Sequence, residues 1–138
     1  MSETIQPDGW PRPSGYANAV SATGRVIAVA GQVGWNPRTS QFESDSLVAQ
    51  AAQALRNVVA ILEAAGAQPR HVVRLTWYVT DRLAYQNATR EIGAEYREVF
   101  GSHYPAMTLV IVAGLLEPRA LVEIEATAVV PERPDGGK

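Results

Sequence analysis

The 138-residue chain has no cysteine. That excludes a disulfide framework, a thiolate nucleophile and a metal site built on cysteine. Histidine is nearly as scarce: His71 and His103 are the only two, far apart in the chain, so zinc held by a histidine pair is not expected. There is no excess of positive charge. Lys plus Arg total 12 against 14 Asp plus Glu, a formal net charge of −2, so nucleic acid is not expected as the main partner. No apolar run approaches the roughly 20 residues that a membrane span needs. The opening MSETIQPDGWPRPSG has no basic stretch followed by an apolar one, the pattern of a secretory signal. A cytoplasmic location is the expectation.

What is there suits one domain over residues 1–138, long enough to bury a core. Residues 1–13, with Pro7, Pro11 and Pro13, are expected to form an irregular arm, with Trp10 pinned to the surface. Gly15–Val20 is a short edge-strand candidate, and Ala22-Thr23-Gly24 reads as a turn. Arg25–Ala30 reads as a buried strand that Gly31 stops. Gly31 and Gly34 then indicate either a bulge and loop or a backbone laid open to a ligand. Leu47, Ala51, Leu55, Val58, Leu62 and Ala65 recur at helical spacing, with Ser44-Asp45-Ser46 as cap and Gly66 as terminator. This predicts a helix over Ser46–Ala65. His71–Val79 alternates as a strand, with Val73, Leu75, Trp77 and Val79 on one face. Thr80-Asp81 caps a second helix over Arg82–Phe100, which Gly101 ends.

The most informative stretch is the last. Met107–Ala113 and Ala120–Val130 read as strands joined by a short connection. Within the second, Val122, Ile124, Ala126, Ala128 and Val130 share a wholly apolar face, because strand side chains alternate. Leu121, Glu123, Glu125, Thr127 and Val129 share the other. Two carboxylates between apolar flanks suit a face that a second subunit covers around a small polar cavity. The predicted order is two or three strands, a helix, a strand, a helix and two strands, the last in hairpin fashion. That implies an α+β fold: a mixed sheet with two helices on one face. A flexible tail is expected over 131–138.

Several pieces together resemble the RidA family, also called YjgF or L-PSP. They are Gly15-Tyr16, Ala30-Gly31-Gln32, QALRNVVAILEAAG over 53–66, the strand ending in Thr80-Asp81, Asn87, Tyr104-Pro105-Ala106 and LVEIEA over 121–126. The resemblance runs from Gly15 to Val130. It implies a chorismate-mutase-like α+β fold and a homotrimer with one small-molecule cleft at each subunit interface. It also implies hydrolysis of reactive enamines and imines, such as 2-aminoacrylate, to ketoacids and ammonia without metal or organic cofactor. Tyr16, Gly31, Asn87 and Glu123 would line the cleft. Glu123 would activate the attacking water and pass a proton, a task suited to a partly buried carboxylate. Glu125 is read as an ordinary surface or ion-paired residue.

One departure stands out. Where the family's deaminating branch reads Pro-Ala-Arg, this chain reads Pro105-Ala106-Met107. Methionine cannot grip a carboxylate as a guanidinium does. Substrate preference is therefore expected to differ, with an aminomuconate-type substrate as one version. Arg119 and His103 are the candidate substitutes for the missing cation. The alternative is a non-catalytic trimer that binds a small metabolite. Endoribonuclease activity, claimed for some relatives, fits the acidic balance least.

Overall fold

A computed structural model describes residues 2–132. The tail expected over 131–138 lies, from residue 133 onward, outside the described residues. In chain order the elements are strands β1 (Ser2–Ile5), β2 (Ala19–Ala22) and β3 (Arg25–Val33), helix α1 (Leu47–Ala64), a 3₁₀ turn at Pro69–His71, strand β4 (Val72–Val79), helices α2 (Arg82–Asn87) and α3 (Thr89–Phe100), and strands β5 (Ala106–Ile111) and β6 (Val122–Val130).

The alternation in β6 organises the main sheet. Val122, Ile124, Ala126 and Ala128 are all buried in the core, while Glu123, Glu125, Thr127 and Val129 are half-buried on the other face. Slipping the register by one residue would exchange the two sets and push both carboxylates into the core. The four-stranded sheet has the order β3-β6-β4-β5. β6 is antiparallel to β3 and β4, whereas β5 is parallel to β4. Helix α1 lies on the core face over β3 and β6 and packs against α3. Its stripe of Ala51, Leu55, Val58 and Leu62 is fully buried. Ser46 caps it by accepting the Ala49 amide, and Gly66 follows at φ 78°. The expected mixed α+β fold, with helices on one face only, is the one found.

Five expectations are corrected. The N-terminal arm is not irregular throughout. Ser2–Ile5 pairs antiparallel with Ala19–Ala22, and Asn18 Nδ2 donates to Gln6 Oε1 at 2.8 Å. Edge pairing satisfies main-chain groups that composition alone left unassigned. Trp10 is exposed rather than pinned. Gly31 does not stop β3, which runs on to Val33 through a register shift between Val29 and Gln32. The second helix is broken at Ala88 (φ −118°, ψ 12°) into α2 and α3. Asn87 and Thr89, both weak helix formers, flank the break. Finally, β5 and β6 are not a hairpin, since β4 lies between them. β4, most of whose residues are buried, holds an interior place, and β5, none of whose residues is buried, forms the edge.

Two polar residues of α1 stitch this layout together. Gln50 is 1% exposed. Its Nε2 donates to the carbonyls of Ser44 (3.0 Å) and Arg119 (3.1 Å), and its Oε1 accepts the Leu121 amide (2.8 Å). Asn57 donates to the carbonyls of Val33 and Trp35. The helix therefore clamps the end of β3 and the approach to β6, the segments that carry Gly31 and Glu123.

Candidate functional site

On the face of the sheet that bears no helix, β6 presents Glu123 and Glu125. They differ in their surroundings. Glu125 Oε2 accepts the Tyr78 hydroxyl at 3.1 Å. That hydrogen bond, with the nearby carboxylate charges, holds the Tyr78 phenol above its usual range, so it stays a neutral donor. The Glu123 carboxylate makes no hydrogen bond or ion pair to any described residue. It lies instead on the backbone of Gly31. A Cβ at position 31 would lie 2.8 Å from the Glu123 carboxyl carbon, with Oε2 closer still. Only glycine leaves room for the carboxylate there. The bulge and the open backbone, two readings of the Gly31 stretch, are thus the same feature: the register shift brings an uncovered backbone beneath Glu123.

A second assembly lies on the other side of the sheet. Strand side chains paired in register share a face, and Met107 and Leu109 pair with Leu75 and Trp77. They therefore point toward the helices, away from Glu123. With Tyr16 and residues of α2 and α3 they line a cavity of about 680 Å³. Tyr16 reaches it because the chain before β2 is tied to the start of β5: the Ala17 amide donates to the Pro105 carbonyl at 3.0 Å. Tyr16 remains 42% exposed, so its ring is available at the rim.

Tyr16, Tyr85, Tyr96 and Tyr104, four of the chain's five tyrosines, line this cavity. Tyr96 and Tyr104 stack with centroids 5.3 Å apart. The Tyr96 hydroxyl donates to the His103 carbonyl at 2.6 Å. Burial raises the phenol pKa of both Tyr85 and Tyr96, so both remain neutral. Apart from Tyr16 and Met107, sequence reasoning passed over this wall. Tyr96 falls within the helix expected over Arg82–Phe100, and Trp77 on the alternating face of the strand expected over His71–Val79. The available signal was the gathering of tyrosines on segments that meet only in three dimensions.

The remaining candidates lie elsewhere. Arg119 is not brought to the cavity. It forms an ion pair with Asp45 (2.8 Å), donates to the Phe42 carbonyl and sits over the Phe42 ring. The His103 ring is engaged by the Val72 carbonyl at 2.7 Å. Asn87 is exposed at the end of α2, between the cavity residues Tyr85 and Thr89 but not itself in the wall. Among the described residues no group of three or more His, Cys, Asp or Glu side chains could hold a metal ion, and no helix is long and apolar enough to cross a membrane.

With this geometry in view, the comparisons with known proteins are consistent with one another. A family model described as Endoribonuclease L-PSP matches residues 11–130. The chain is 38% identical over 134 residues to the Escherichia coli K12 protein named 2-iminobutanoate/2-iminopropanoate deaminase, covering 94% of this chain and 98% of that one. It is 36% identical over 129 residues to a RutC family protein of Pyrococcus horikoshii, covering 93% and 98%. Among solved structures it resembles YyfB of Yersinia pestis, a protein of unknown function in the conserved Rid family, with a TM-score of 0.79, 36% identity and coverage of 94% and 98%.

Proposed function

The chain belongs to the Endoribonuclease L-PSP family, the RidA or YjgF family, and from that membership we propose that it hydrolyses reactive enamines and imines to carbonyl compounds and ammonia. Relatives named as imine deaminases support this class of reaction. The observation that carries it to this chain is the unpartnered Glu123 carboxylate seated on the Gly31 backbone.

In this reading a water beside Glu123 attacks the C=N carbon. Glu123 takes one water proton as the C–O bond forms and passes it to the nitrogen, giving a carbinolamine, then carries the hydroxyl proton to the nitrogen as the C=O bond forms and the C–N bond breaks. A 2-imino acid plus water thus yields a 2-oxo acid plus ammonia. Positioning and one proton carrier suffice, so no metal or organic cofactor takes part. Tyr16 and Met107 sit across the sheet from Glu123, so one chain does not join the two halves. We therefore place the complete cleft between subunits of a homotrimer, with the open sheet face covered by a neighbour. The apolar residues on that face, among them Val26 at 65% exposure and Val110, support this. Sedimentation is expected to show a trimer that a Val26→Asp, Val110→Asp double substitution dissociates. A wild-type monomer would refute the shared cleft.

Met107 in the family arginine's place shifts preference away from the smallest imino acids toward larger ones, aminomuconate-type compounds among them. It also favours the second reading, a trimer that binds a metabolite without turning it over. Ammonia release from imines generated in situ separates the two. Deamination predicts that wild type accelerates release and that Met107→Arg gains on 2-aminoacrylate. Wild-type inactivity on small and large imines alike leaves the binding reading. A ribonuclease reading has least support, given that acidic residues outnumber basic ones.

Gly31 offers a further check. A Gly31→Ala side chain would collide with Glu123, and displacing a reacting group by about 1 Å can cost on the order of 100-fold in rate. A loss of that order in kcat/KM is expected with little change in melting temperature. Unchanged activity would mean that the Glu123 position does not matter.

A further inference from the structure

The tyrosine-walled cavity has a cationic side chain in its wall. Arg97, in the last turn of α3, is the only formally charged side chain in the wall among the described residues. Its guanidinium has no carboxylate or hydrogen-bond partner among the described residues. It extends back along the helix over Gly93, where an added Cβ would lie 3.6 Å from Nη1. Both residues face the cavity. The glycine leaves the guanidinium accessible from the cavity side, one helical turn from Arg97 itself.

Further groups in the same wall await an acceptor. Trp77 contributes ring surface to the wall, while its indole nitrogen is buried away from the cavity space. The hydroxyls of Tyr16 and Tyr104 donate to no described residue. The Tyr85 hydroxyl, kept neutral by burial, donates to no described residue. Apart from Ser14 and Thr89 the rest of the wall is aromatic or apolar, including the stacked Tyr96–Tyr104 pair, and among the described residues it contains no carboxylate. A site with one unpaired cation, neutral donors and flat apolar surfaces selects an anion with a planar body. At about 680 Å³ it exceeds the needs of a three-carbon imino acid.

We propose that Arg97 is the residue that binds the substrate carboxylate, in place of the strand arginine that Met107 replaces, and that the preferred substrates are planar, conjugated or aryl-bearing carboxylates. As an account of turnover this rests on the deaminase reading, but carboxylate binding by Arg97 can be tested without it. The test is calorimetric titration of wild type, Arg97→Gln and Arg97→Lys with cinnamate, and with cinnamyl alcohol as the uncharged match. Wild type is expected to prefer the acid, and Arg97→Gln to lose about 10- to 100-fold in affinity for it, the weight of a charge-assisted hydrogen bond. Affinity for the alcohol should not change. Arg97→Lys should restore part of the preference, which a merely structural role for residue 97 would not explain. Equal acid binding in wild type and Arg97→Gln, or no wild-type preference for the acid, overturns the proposal. In parallel, wild type should release ammonia faster from imines of aromatic amino acids than from that of alanine, and Arg97→Gln should raise KM more than it lowers kcat. Acid binding through Arg97 with no turnover of any imine would overturn the deaminase reading and leave the carboxylate site standing.

Discussion

Replacing Glu123 with glutamine is expected to lower kcat/KM for imine hydrolysis by about 10²- to 10⁴-fold, the usual contribution of a positioned general acid–base. Glutamine keeps the size of the side chain and its seat over Gly31, but it cannot accept a proton from water. The fold should be unaffected, because Glu123 is half-buried and its carboxylate bonds to no described residue. The fall should lie in kcat rather than KM, since the residue acts on the attacking water. Glu125→Gln is the internal control. It alters the partner of the Tyr78 hydroxyl and should cost far less activity. Equal losses from the two substitutions would defeat the assignment of Glu123 as the proton carrier. Full activity in Glu123→Gln would do so as well.

The largest effect on stability is expected at Gln50. Truncation to alanine leaves the Ser44 and Arg119 carbonyls and the Leu121 amide without the partners they have now. Buried polar groups without partners cost about 1–3 kcal/mol each. Partial relaxation makes about 3–4 kcal/mol a reasonable total, or roughly 10 °C in melting temperature for a domain of this size. Gln50→Glu adds a test by pH. The carboxyl can donate to one of the two carbonyls, and only when neutral, so burial raises its folded pKa above the unfolded value of about 4.3. The folded state then holds the extra proton, and stability is retained below that unfolded value and lost as pH rises through the folded one. Thermal melts of Gln50→Glu relative to wild type should worsen steadily from pH 4 to pH 8. A Gln50→Ala protein melting within about 2 °C of wild type would show that the clamp contributes little.

Both experiments probe one arrangement. Gln50 holds the Leu121 amide two residues before Glu123, and Asn57 holds the Val33 carbonyl two residues after Gly31. The carboxylate and the glycine beneath it are thus positioned by a helix whose Gln50 and Asn57 hydrogen bonds reach their neighbours rather than themselves. Gln50 and Asn57 lie between apolar positions of α1, and a reading by hydrophobic periodicity passes over them. Their role depends on which loops fold back over the helix, information that spacing along the helix does not contain.

Local patterns were sufficient for much of the molecule. The two faces of β6, the capped helix α1 with its buried stripe and the mixed α+β architecture all follow from side-chain periods of 2 and 3.6 and from cap chemistry, which act over a few residues. The family was legible too, through short segments in a fixed order. Tertiary structure decided what depends on long-range contact: the insertion of β6 between β3 and β4, the pairing of the N-terminal arm and the commitment of Arg119 to Asp45. It also decided that Met107 and Glu123 face opposite sides of one sheet, and that Arg97 joins tyrosines from four segments around a single cavity. Pairing between distant strands sets which residues share a face, and no pattern within a single strand or helix encodes its partners.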